Sequence, residues 1–454
     1  MRLLLKRAGV LLVLALLIVF GLLFFMTKYF MNASQWAGYT ANKHLFISGK
    51  PISSGAIYDR SGKILFRMTG DKLEFNKNKT VRMALMHATG DINGNVATGA
   101  RVAFKGKLAG WDFLNGAYHF DKSDFGEDVT LSLDADLCVT AYKALNGRKG
   151  TVGVYNYRNG EILCMLSNPS FDPQYPPDVE SDTEKYKGVF LNRLLSAAYT
   201  PGSVFKLVTA AAAIENIEDI EHKVYQCDGK LNVNGNLVTC LSAHGKVNLE
   251  EALAQSCNVA FAEITLELGA DTLQKYADLA GLNTCLEFDG IRTVAGNVNV
   301  ADAEEADLAW AGIGQYSNIV NPFNFMLYMG SVANDGVRVT PHILSDSGLL
   351  HGVKSFAAEH KRILPTAASK ELGKMMRNNV VSNYGEENFK GLEMCAKSGT
   401  AEVGGYLKPH SWFAGYLDRD DFPLAFVVVI ENGGSGSTAA GAVAAKVMKE
   451  AVKE

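Results

Sequence analysis

The prediction of the fold starts from one stretch of the sequence, Tyr199-Thr200-Pro201-Gly202-Ser203-Val204-Phe205-Lys206. A helix that starts near Pro201 places the Ser203 hydroxyl and the Lys206 amine on the same face, because the two residues are three apart. A mostly apolar run at 207–214 continues this helix. A serine at such a turn can be activated by the neighbouring lysine. Alone the pattern is weak, because about one or two S-x-x-K matches arise by chance in a chain of this size.

Length and composition describe a globular chain with one hydrophobic segment near its start. The 454 residues are 48% hydrophobic and 20% charged, and the net charge of −4 gives no sign of nucleic-acid binding. The uncharged run at 8–27 is long enough to span a membrane. Arg2, Lys6 and Arg7 precede it, which predicts a cytoplasmic N-terminus and an extracytoplasmic remainder in the cell membrane. A single-pass anchor is favoured over a cleaved signal peptide, because no A-x-A-like site follows Phe25.

Three segments are predicted along the chain. Residues 1–30 form a short cytoplasmic end and the anchor. Residues 31–127 form a small strand-rich pedestal domain, in which glycines separate short β-like pieces and no long helix is evident. In residues 128–454, helical patterns cluster in the middle and hairpin patterns lie towards both ends, near 150–167 and 410–430. This larger domain is therefore predicted to be α+β, with an antiparallel sheet flanked by helices.

Two further motifs support a catalytic interpretation of the serine–lysine pair. Ser256-Cys257-Asn258 is the only S-x-N in the chain, and Lys397-Ser398-Gly399-Thr400 contains its only K-[S/T]-G. The order S-x-x-K, S-x-N, K-[S/T]-G resembles the signature of penicillin-binding proteins and class A β-lactamases. Each motif alone is weak, whereas all three in this order outside a membrane form a strong signal.

The surrounding residues resemble one branch of that group, the class B penicillin-binding proteins, from about Gly55 to the C-terminus. The stretches that carry the resemblance include Gly160-Glu161-Ile162-Leu163, Asn168-Pro169-Ser170-Phe171-Asp172-Pro173, Asn192-Arg193, Gly314-Gln315, Ala333-Asn334-Asp335-Gly336 and Trp412-Phe413. The resemblance implies a penicillin-binding/β-lactamase-like transpeptidase domain on a membrane-proximal pedestal, to which Tyr58-Asp59-Arg60 looks similar.

The resemblance also implies an activity and partners. The chain is expected to be a peptidoglycan D,D-transpeptidase, which forms an acyl-enzyme on Ser203, releases D-Ala and cross-links stem peptides without a cofactor. β-Lactams are expected to acylate the same serine. Residues 31–127 are too few for a glycosyltransferase domain, so a membrane-embedded glycan polymerase is the expected partner.

Two alternatives belong to other classes of protein. A D,D-carboxypeptidase or β-lactamase shares the motifs, but no E-x-x-L-N stretch lies between Ser256 and Lys397, as a β-lactamase requires for fast deacylation. A non-catalytic β-lactam sensor or wall-binding scaffold is the other alternative. A sensor is expected to carry a cytoplasmic signalling part, whereas only about seven residues precede the apolar run.

The first catalytic role follows from proton transfer. Ser203 must lose its proton to attack an amide, and Lys206 can accept that proton only when it is neutral. Burial and the charge of Lys397 are expected to lower the pKa of Lys206. Ser256 is expected to relay a proton to the departing amine.

The remaining roles concern substrate binding. Asn258 is expected to hydrogen-bond the donor peptide, and the Ser398 and Thr400 hydroxyls beside Lys397 are expected to hold its terminal carboxylate. Gly399 lets the substrate approach the backbone of an edge strand. By similarity to the family, the backbone N–H groups of Ser203 and Thr400 form the oxyanion hole.

Four further residues form a possible metal site, with the spacing C-x12-C-x3-H-x12-C: Cys227, Cys240, His244 and Cys257. A hairpin with its turn at Asn234-Gly235 pairs Cys240 with Gly229 and Cys227 with Ser242. The two cysteines then share a face as diagonal neighbours, about 7 Å apart, which suits a shared metal ion better than a disulfide.

Three thiolates and one imidazole make a closed tetrahedral zinc set, of a structural rather than a catalytic kind. The alternative is a Cys227–Cys240 disulfide with Cys257 as a buried apolar residue, which the oxidising side of a membrane favours. The chain has seven cysteines, and the odd number argues against a full disulfide framework.

Overall fold

The computed structural model describes residues 2–37, 46–47, 50–51, 54–69, 72–110, 126–345 and 360–453. The contacts between its residues divide the chain into two units. The first contains Met1–Ile57, Phe66–Glu74 and Phe104–Val129, and the second contains Tyr58–Leu65, Phe75–Ala103 and Thr130–Glu454. Every predicted site residue lies in the second unit.

A long apolar helix opens the first unit. It spans Arg2–Ala37, and its 24-residue segment Lys6–Tyr29 has the length and composition needed to cross a membrane. At 1.5 Å per residue the segment is about 36 Å long, compared with a hydrocarbon core of about 30 Å. Its apolar side chains are exposed, as Leu11 (67%) and Phe20 (74%) illustrate. The helix therefore fits the predicted membrane anchor.

Short strands follow the helix. Phe46–Ile47 pairs with Lys50–Pro51, and a four-stranded sheet contains, in spatial order, Lys72–Phe75, Ile64–Thr69, Ser54–Tyr58 and Val129–Thr130. The two strands predicted around the Ser61-Gly62 turn are confirmed, and the φ angle of Gly62 is +82°.

The next segment corrects the prediction of short β-like pieces. It contains four short helices, Lys79–Ala84, Met86–Thr89, Ala100–Ala103 and Lys105–Leu108. The Asn78 side chain accepts the Thr80 N–H at 2.9 Å and so caps the first helix. Gly90, with a φ angle of +93°, ends the second helix. Glycine here terminates a helix rather than separating strands. The predicted pedestal also includes 38–45, 48–49, 52–53, 70–71 and 111–125, which lie outside the described residues.

A five-stranded antiparallel sheet forms the core of the second unit. Its strands, in spatial order, are Met394–Ala401, His410–Leu417, Leu424–Ile430, Gly150–Asn156 and Ile162–Asn168. Both predicted hairpins are therefore confirmed. All seven residues of Leu424–Ile430 are buried, as expected for a central strand covered on both faces. Met394–Ala401 lies at an edge of this sheet, where the K-S-G segment was predicted.

Helices pack against this sheet. Pro322–Ala333 contacts the strands Leu424–Ile430 and His410–Leu417, and Ala135–Leu145 contacts Ile162–Asn168. Besides the short helices within Phe75–Ala103, the other α-helices in the described part of the unit are Lys206–Asn216, Leu249–Ala254, Asn258–Leu279, Glu305–Gly312, Thr366–Asn379 and Gly441–Ala451. Short 3₁₀-helices cover Gly202–Val204 and Glu386–Phe389, and π-helices cover Val380–Gly385 and Gly436–Ala440. The domain is α+β, as predicted.

The remaining strands are short pairs at the periphery of this unit. Their bounds are Tyr225–Cys227 with Gly245–Val247, Lys230–Val233 with Asn236–Thr239, Glu287–Phe288 with Ile291–Arg292, and Val337–Arg338 with Lys361–Arg362.

Candidate active site

The nucleophile turn is fixed by close backbone packing. Gly202 opens the 3₁₀-helix Gly202–Val204 with a φ angle of +57°, and its N–H donates to the Gly314 carbonyl at 2.9 Å. A Cβ atom at Gly202 would lie 2.8 Å from the Thr400 carbonyl oxygen. Only glycine therefore fits at this position, and the tight turn presents Ser203 at the start of the predicted helix.

Lys206 is fully buried and surrounded by oxygen atoms. Its Nζ lies 3.2 Å from Ser203 Oγ and donates to the Ser256 carbonyl and to Asn258 Oδ1, both at 2.7 Å. The pKa of Lys206 is well below its ordinary value, because burial disfavours the ammonium form and the charge of Lys397 adds repulsion. A neutral amine donates two N–H groups and keeps a lone pair that can accept the Ser203 proton.

Ser256 lies between the two buried lysines. Its Oγ is 3.2 Å from Lys206 Nζ and 3.1 Å from Lys397 Nζ. The φ angle of Ser256 is +54°, a left-handed conformation that side chains rarely adopt and that is often found at functional sites. Two residues on, the Asn258 Nδ2 donates to the Thr239 carbonyl at 2.7 Å, so its amide is held from both ends.

The edge strand supplies the third motif. Lys397 is buried, which lowers its pKa to about 7, and it also donates to the Ser398 carbonyl at 3.0 Å. Ser398 and Thr400 line the cleft. A Cβ at Gly399 would lie 2.7 Å from the Pro201 carbonyl oxygen, so this position also requires glycine.

A cleft of about 890 Å³ collects these groups, and Ser203, Ser256, Asn258, Ser398 and Thr400 line it. Its walls also include residues that the motifs did not identify, namely Trp310, Tyr316, Gln255 and Glu402. The structure thus brings all eight predicted catalytic and substrate-binding residues together. Chemically, this arrangement can supply a nucleophile, a base, a proton relay and a polar wall for a carboxylate.

Sequence reasoning missed Tyr384. Its hydroxyl lies 3.0 Å from Ser398 Oγ and accepts the Ser398 N–H at 2.9 Å. Tyr384 lies in the π-helix Val380–Gly385, outside any motif, and no signal in the sequence distinguishes it from the other tyrosines of the chain.

The cysteine and histidine residues also come together. One ligand atom from each of Cys227, Cys240, His244 and Cys257 can be chosen so that all four lie within 4.8 Å of one another. The Sγ of Cys240 is 3.7 Å from that of Cys227 and 3.8 Å from that of Cys257, and His244 Nδ1 is 3.4 Å from Cys227 Sγ. All seven cysteines are free thiols, and hydrogen bonds from Cys257 and from backbone N–H groups lower the pKa of Cys240 to about 5.

The predicted strand register is correct for one of these cysteines and wrong for the other. The hairpin Lys230–Val233 with Asn236–Thr239 has the predicted register, and the Cys240 N–H donates to the Gly229 carbonyl at 2.9 Å. Cys227, however, pairs with Gly245 and not with Ser242. Gly229 has a φ angle of +86°, so the chain turns there and the strand that contains Cys227 leaves the hairpin.

Comparison with known proteins agrees with the motif order. The profile of the penicillin binding protein transpeptidase domain matches residues 150–453. The chain is 27% identical over 316 residues to the peptidoglycan D,D-transpeptidase PbpA of Mycolicibacterium smegmatis, covering 64% of each protein. It is 27% identical over 359 residues to stage V sporulation protein D of Bacillus subtilis, covering 72% of this chain and 54% of that protein. The matched segments thus span about half to two thirds of these relatives.

Solved structures share the fold. Penicillin-binding protein A from M. tuberculosis, as a penicillin G acyl-enzyme complex, superimposes with a TM-score of 0.76 at 21% identity, covering 88% of this chain and all of that one. The D,D-transpeptidase domain of a peptidoglycan glycosyltransferase from Eggerthella lenta gives a TM-score of 0.74 at 23% identity, covering 88% of this chain and 98% of that one. The family profile covers most of the chain, including the three motifs and the cleft. The chain therefore belongs to the penicillin-binding protein transpeptidase domain family, as its resemblance to the class B penicillin-binding proteins implied.

Proposed function

We propose that this chain is a peptidoglycan D,D-transpeptidase whose nucleophile is Ser203. The observation that carries the proposal is the hydrogen-bonded series Ser203–Lys206–Ser256–Lys397, which opens on the cleft and contains two buried amines. Burying two lysines next to each other is unfavourable, and lysines are found in this state where a neutral amine is used as a base. The names of the relatives support the same activity.

Acylation begins when Ser203 Oγ attacks the carbonyl carbon of the penultimate D-Ala of a stem peptide. The Ser203 proton moves to Lys206 Nζ, and a new C–O bond forms the tetrahedral intermediate. By similarity to the family, the N–H groups of Ser203 and Thr400 hold the oxyanion. The C–N bond to the terminal D-Ala then breaks as Ser256 passes its hydroxyl proton to the leaving amine. Ser256 Oγ, 3.2 Å from Lys206 Nζ, takes in return the proton that Lys206 received from Ser203, so Lys206 is neutral again.

The cleft wall supports recognition of the terminal carboxylate. Ser398 and Thr400 line the cleft, and the Lys397 amine lies 3.0 Å from the Ser398 carbonyl oxygen. Asn258 is held in place by Lys206 and Thr239 and also lines the cleft, where it binds the peptide amide. An amine from a second stem peptide then attacks the acyl-enzyme, which forms the cross-link and restores Ser203. β-Lactams occupy the donor position and form a long-lived ester.

Labelled penicillin and intact-mass spectrometry test the proposal. The wild-type chain should gain the mass of one penicillin, and Ser203→Ala should show no adduct. Purified lipid II, supplied with a polymerase, should yield cross-linked strands and free D-Ala. Hydrolysis of stem peptides without cross-linking would indicate a carboxypeptidase, and rapid turnover of penicillin would indicate a β-lactamase. A stable penicillin adduct without any reaction of stem peptides would indicate a sensor or scaffold.

We further infer the arrangement of the chain at the membrane. Residues 1–30 act as a single-pass anchor with a cytoplasmic N-terminus, 31–127 as the pedestal, and 128–454 as the catalytic domain outside the membrane. The apolar helix and the basic residues before it support this arrangement. A membrane-embedded glycan polymerase is the proposed partner. Glycan strands made from lipid II by the purified chain alone would contradict that part of the proposal.

We also propose that the four-residue cluster binds a structural zinc ion. A tetrahedral site with Zn–S bonds of about 2.3 Å has ligand atoms about 3.8 Å apart. The two Sγ–Sγ distances of 3.7 and 3.8 Å match that spacing. Zinc at this position connects the hairpin that precedes Cys240 to the helix Asn258–Leu279. It therefore fixes the positions of Ser256 and Asn258.

Metal analysis of protein purified without a chelator tests this site. Close to one zinc per chain is expected, and Cys240→Ser should lose it. The exposed Cys285 lies outside the cluster, so Cys285→Ser is the matched control and should keep the metal. Zinc far below one equivalent, together with a Cys227–Cys240 disulfide in the same protein, would favour the disulfide alternative.

A further inference from the structure

The helix Thr366–Asn379 continues directly into the π-helix Val380–Gly385, which reaches the edge strand. Hydrogen bonds in a π-helix join residues five apart, so Asn379 and Tyr384 lie on one side of it. Asn379 Nδ2 donates to the Ala396 carbonyl at 3.0 Å, and Tyr384 contacts Ser398 two residues further along the strand. In a regular α-helix, residues five apart point in different directions, so the π-turn is what aims Tyr384 at Ser398.

The Tyr384 hydroxyl has two partners on one residue. It accepts the Ser398 N–H at 2.9 Å, and its oxygen lies 3.0 Å from Ser398 Oγ. A phenol has one proton to donate, and the backbone N–H already occupies an acceptor position on its oxygen. Donation of that proton to Ser398 Oγ therefore satisfies both groups. Ser398 then keeps its own proton free to donate into the cleft.

The position of the Tyr384 ring is defined by packing. Its ring lies edge-on to Phe413, with centroids 5.4 Å apart and planes at 63°. Phe413 is fully buried and is the residue paired with Ser398 across the sheet. The ring, the sheet pair and the two hydrogen bonds thus leave the hydroxyl little freedom to move. In the residue before Tyr384, the Asn383 side chain donates to the Ala254 carbonyl, close to Ser256.

We propose that Tyr384 is a positioning residue that orients the Ser398 hydroxyl as a hydrogen-bond donor to the carboxylate of the donor substrate or of a β-lactam. This inference rests on the proposed function, because it requires a carboxylate bound between Ser398 and Thr400. It extends the site to a residue outside the three motifs. It also gives the π-helix a role in carboxylate recognition.

Two variants and two ligands test the proposal. Tyr384→Phe keeps the ring and removes only the hydroxyl. Its second-order rate of acylation by penicillin G should fall about tenfold, because the Ser398 hydroxyl is no longer held as a donor and its hydrogen bond to the charged carboxylate is weakened. Acylation by penicillin G methyl ester, which lacks the carboxylate, should change less than about twofold, since a neutral ester gains little from the oriented hydroxyl. In a Ser398→Ala background, Tyr384→Phe should cause a much smaller loss, because only the backbone contact from the residue at 398 remains and there is no hydroxyl left to orient.

Tyr157→Phe is the matched control. It also removes a buried tyrosine hydroxyl, which donates to the Leu417 carbonyl at 3.3 Å elsewhere in the same sheet. Its acylation rate should match the wild type. Equal losses for acid and ester, no loss for either, or losses that multiply in the double variant would each overturn the role of Tyr384. Absence of any penicillin adduct on the wild-type chain would instead refute the proposed function.

Discussion

Lys206 Nζ lies 3.2 Å from Ser203 Oγ, in the position of a base that accepts the proton of the nucleophile. The other side of the same nitrogen faces two fixed acceptors at 2.7 Å, the Ser256 carbonyl and Asn258 Oδ1. These two acceptors take both hydrogens of a neutral amine, so the lone pair is directed at the serine.

Lys206→Arg should reduce penicillin acylation by about 10²–10⁴-fold, the usual contribution of a general base. Arginine keeps the positive charge but does not deprotonate in a protein, so it cannot accept the serine proton. Stopped-flow measurement with a labelled β-lactam gives the rate. A rate close to that of the wild type would remove Lys206 from the role of base.

The acylation rate should follow a bell-shaped pH profile. Lys206 must be neutral, so the rate rises as pH increases through its lowered pKa. Lys397 must be charged to attract a carboxylate, so the rate falls as pH rises above its pKa of about 7. The two apparent pKa values of this profile belong to the coupled pair of lysines. They are measured from second-order acylation rates between about pH 5 and 10.

Lys397→Arg checks the falling limb of this profile. Arginine stays charged across the whole range, so the falling limb near pH 7 should disappear and the rising limb should remain. An unchanged falling limb would show that another group titrates there.

Removal of the proposed zinc ion should loosen the S-x-N segment. Cys240 Sγ accepts hydrogen bonds from the N–H groups of Asn258 at 3.1 Å and Val259 at 3.3 Å. Loss of the metal bond to Cys240 should therefore free the start of the helix Asn258–Leu279. Chelation should lower the melting temperature and slow acylation in parallel, and added zinc should restore both. If the metal-free protein is acylated at the full rate, the metal cluster does not support the active site.

Asp172→Asn should lower the free energy of unfolding by about 3 kcal/mol, because it removes the negative charge that pairs with the buried Arg82 guanidinium. Asp172 forms two hydrogen bonds with Arg82, at 2.6 and 2.7 Å, and both side chains are 9% exposed. Asp420→Asn is the control, since Asp420 is 92% exposed in its ion pair with Arg158 and should contribute less than about 1 kcal/mol. Thermal unfolding in detergent compares the two, and equal effects would contradict the argument.

The parts of the fold that follow from local patterns were predictable. Gly150–Asn156 and Ile162–Asn168 carry a hairpin signal in their own residues, and the three motifs identify five of the residues that line the cleft. The short helices between Lys79 and Leu108 were not predicted, because they depend on a cap at Asn78 and on tertiary packing rather than on a long periodic pattern.

Tyr384 illustrates the limit for the site. Its contact with Ser398 depends on a π-turn that changes the direction of one side chain, and hydrophobic periodicity does not reveal such a turn. The pairing of Cys227 with Gly245 similarly depends on the backbone angle at Gly229. Both features arise from backbone geometry that one sequence does not specify through residue type alone.

Three glycines packed around the nucleophile turn limit how this protein can change under drug selection. A Cβ added at Gly314 would lie 2.0 Å from the Gly202 carbonyl oxygen. A Cβ added at Gly202 would lie 2.8 Å from the Thr400 carbonyl oxygen, and one added at Gly399 would lie 2.7 Å from the Pro201 carbonyl oxygen. Any substitution at these positions pushes one backbone segment against another, so it damages the nucleophile turn itself. Variants that escape β-lactams while keeping cross-linking activity should therefore arise at side chains of the cleft wall, such as Tyr316 or Glu402, and not in this glycine frame.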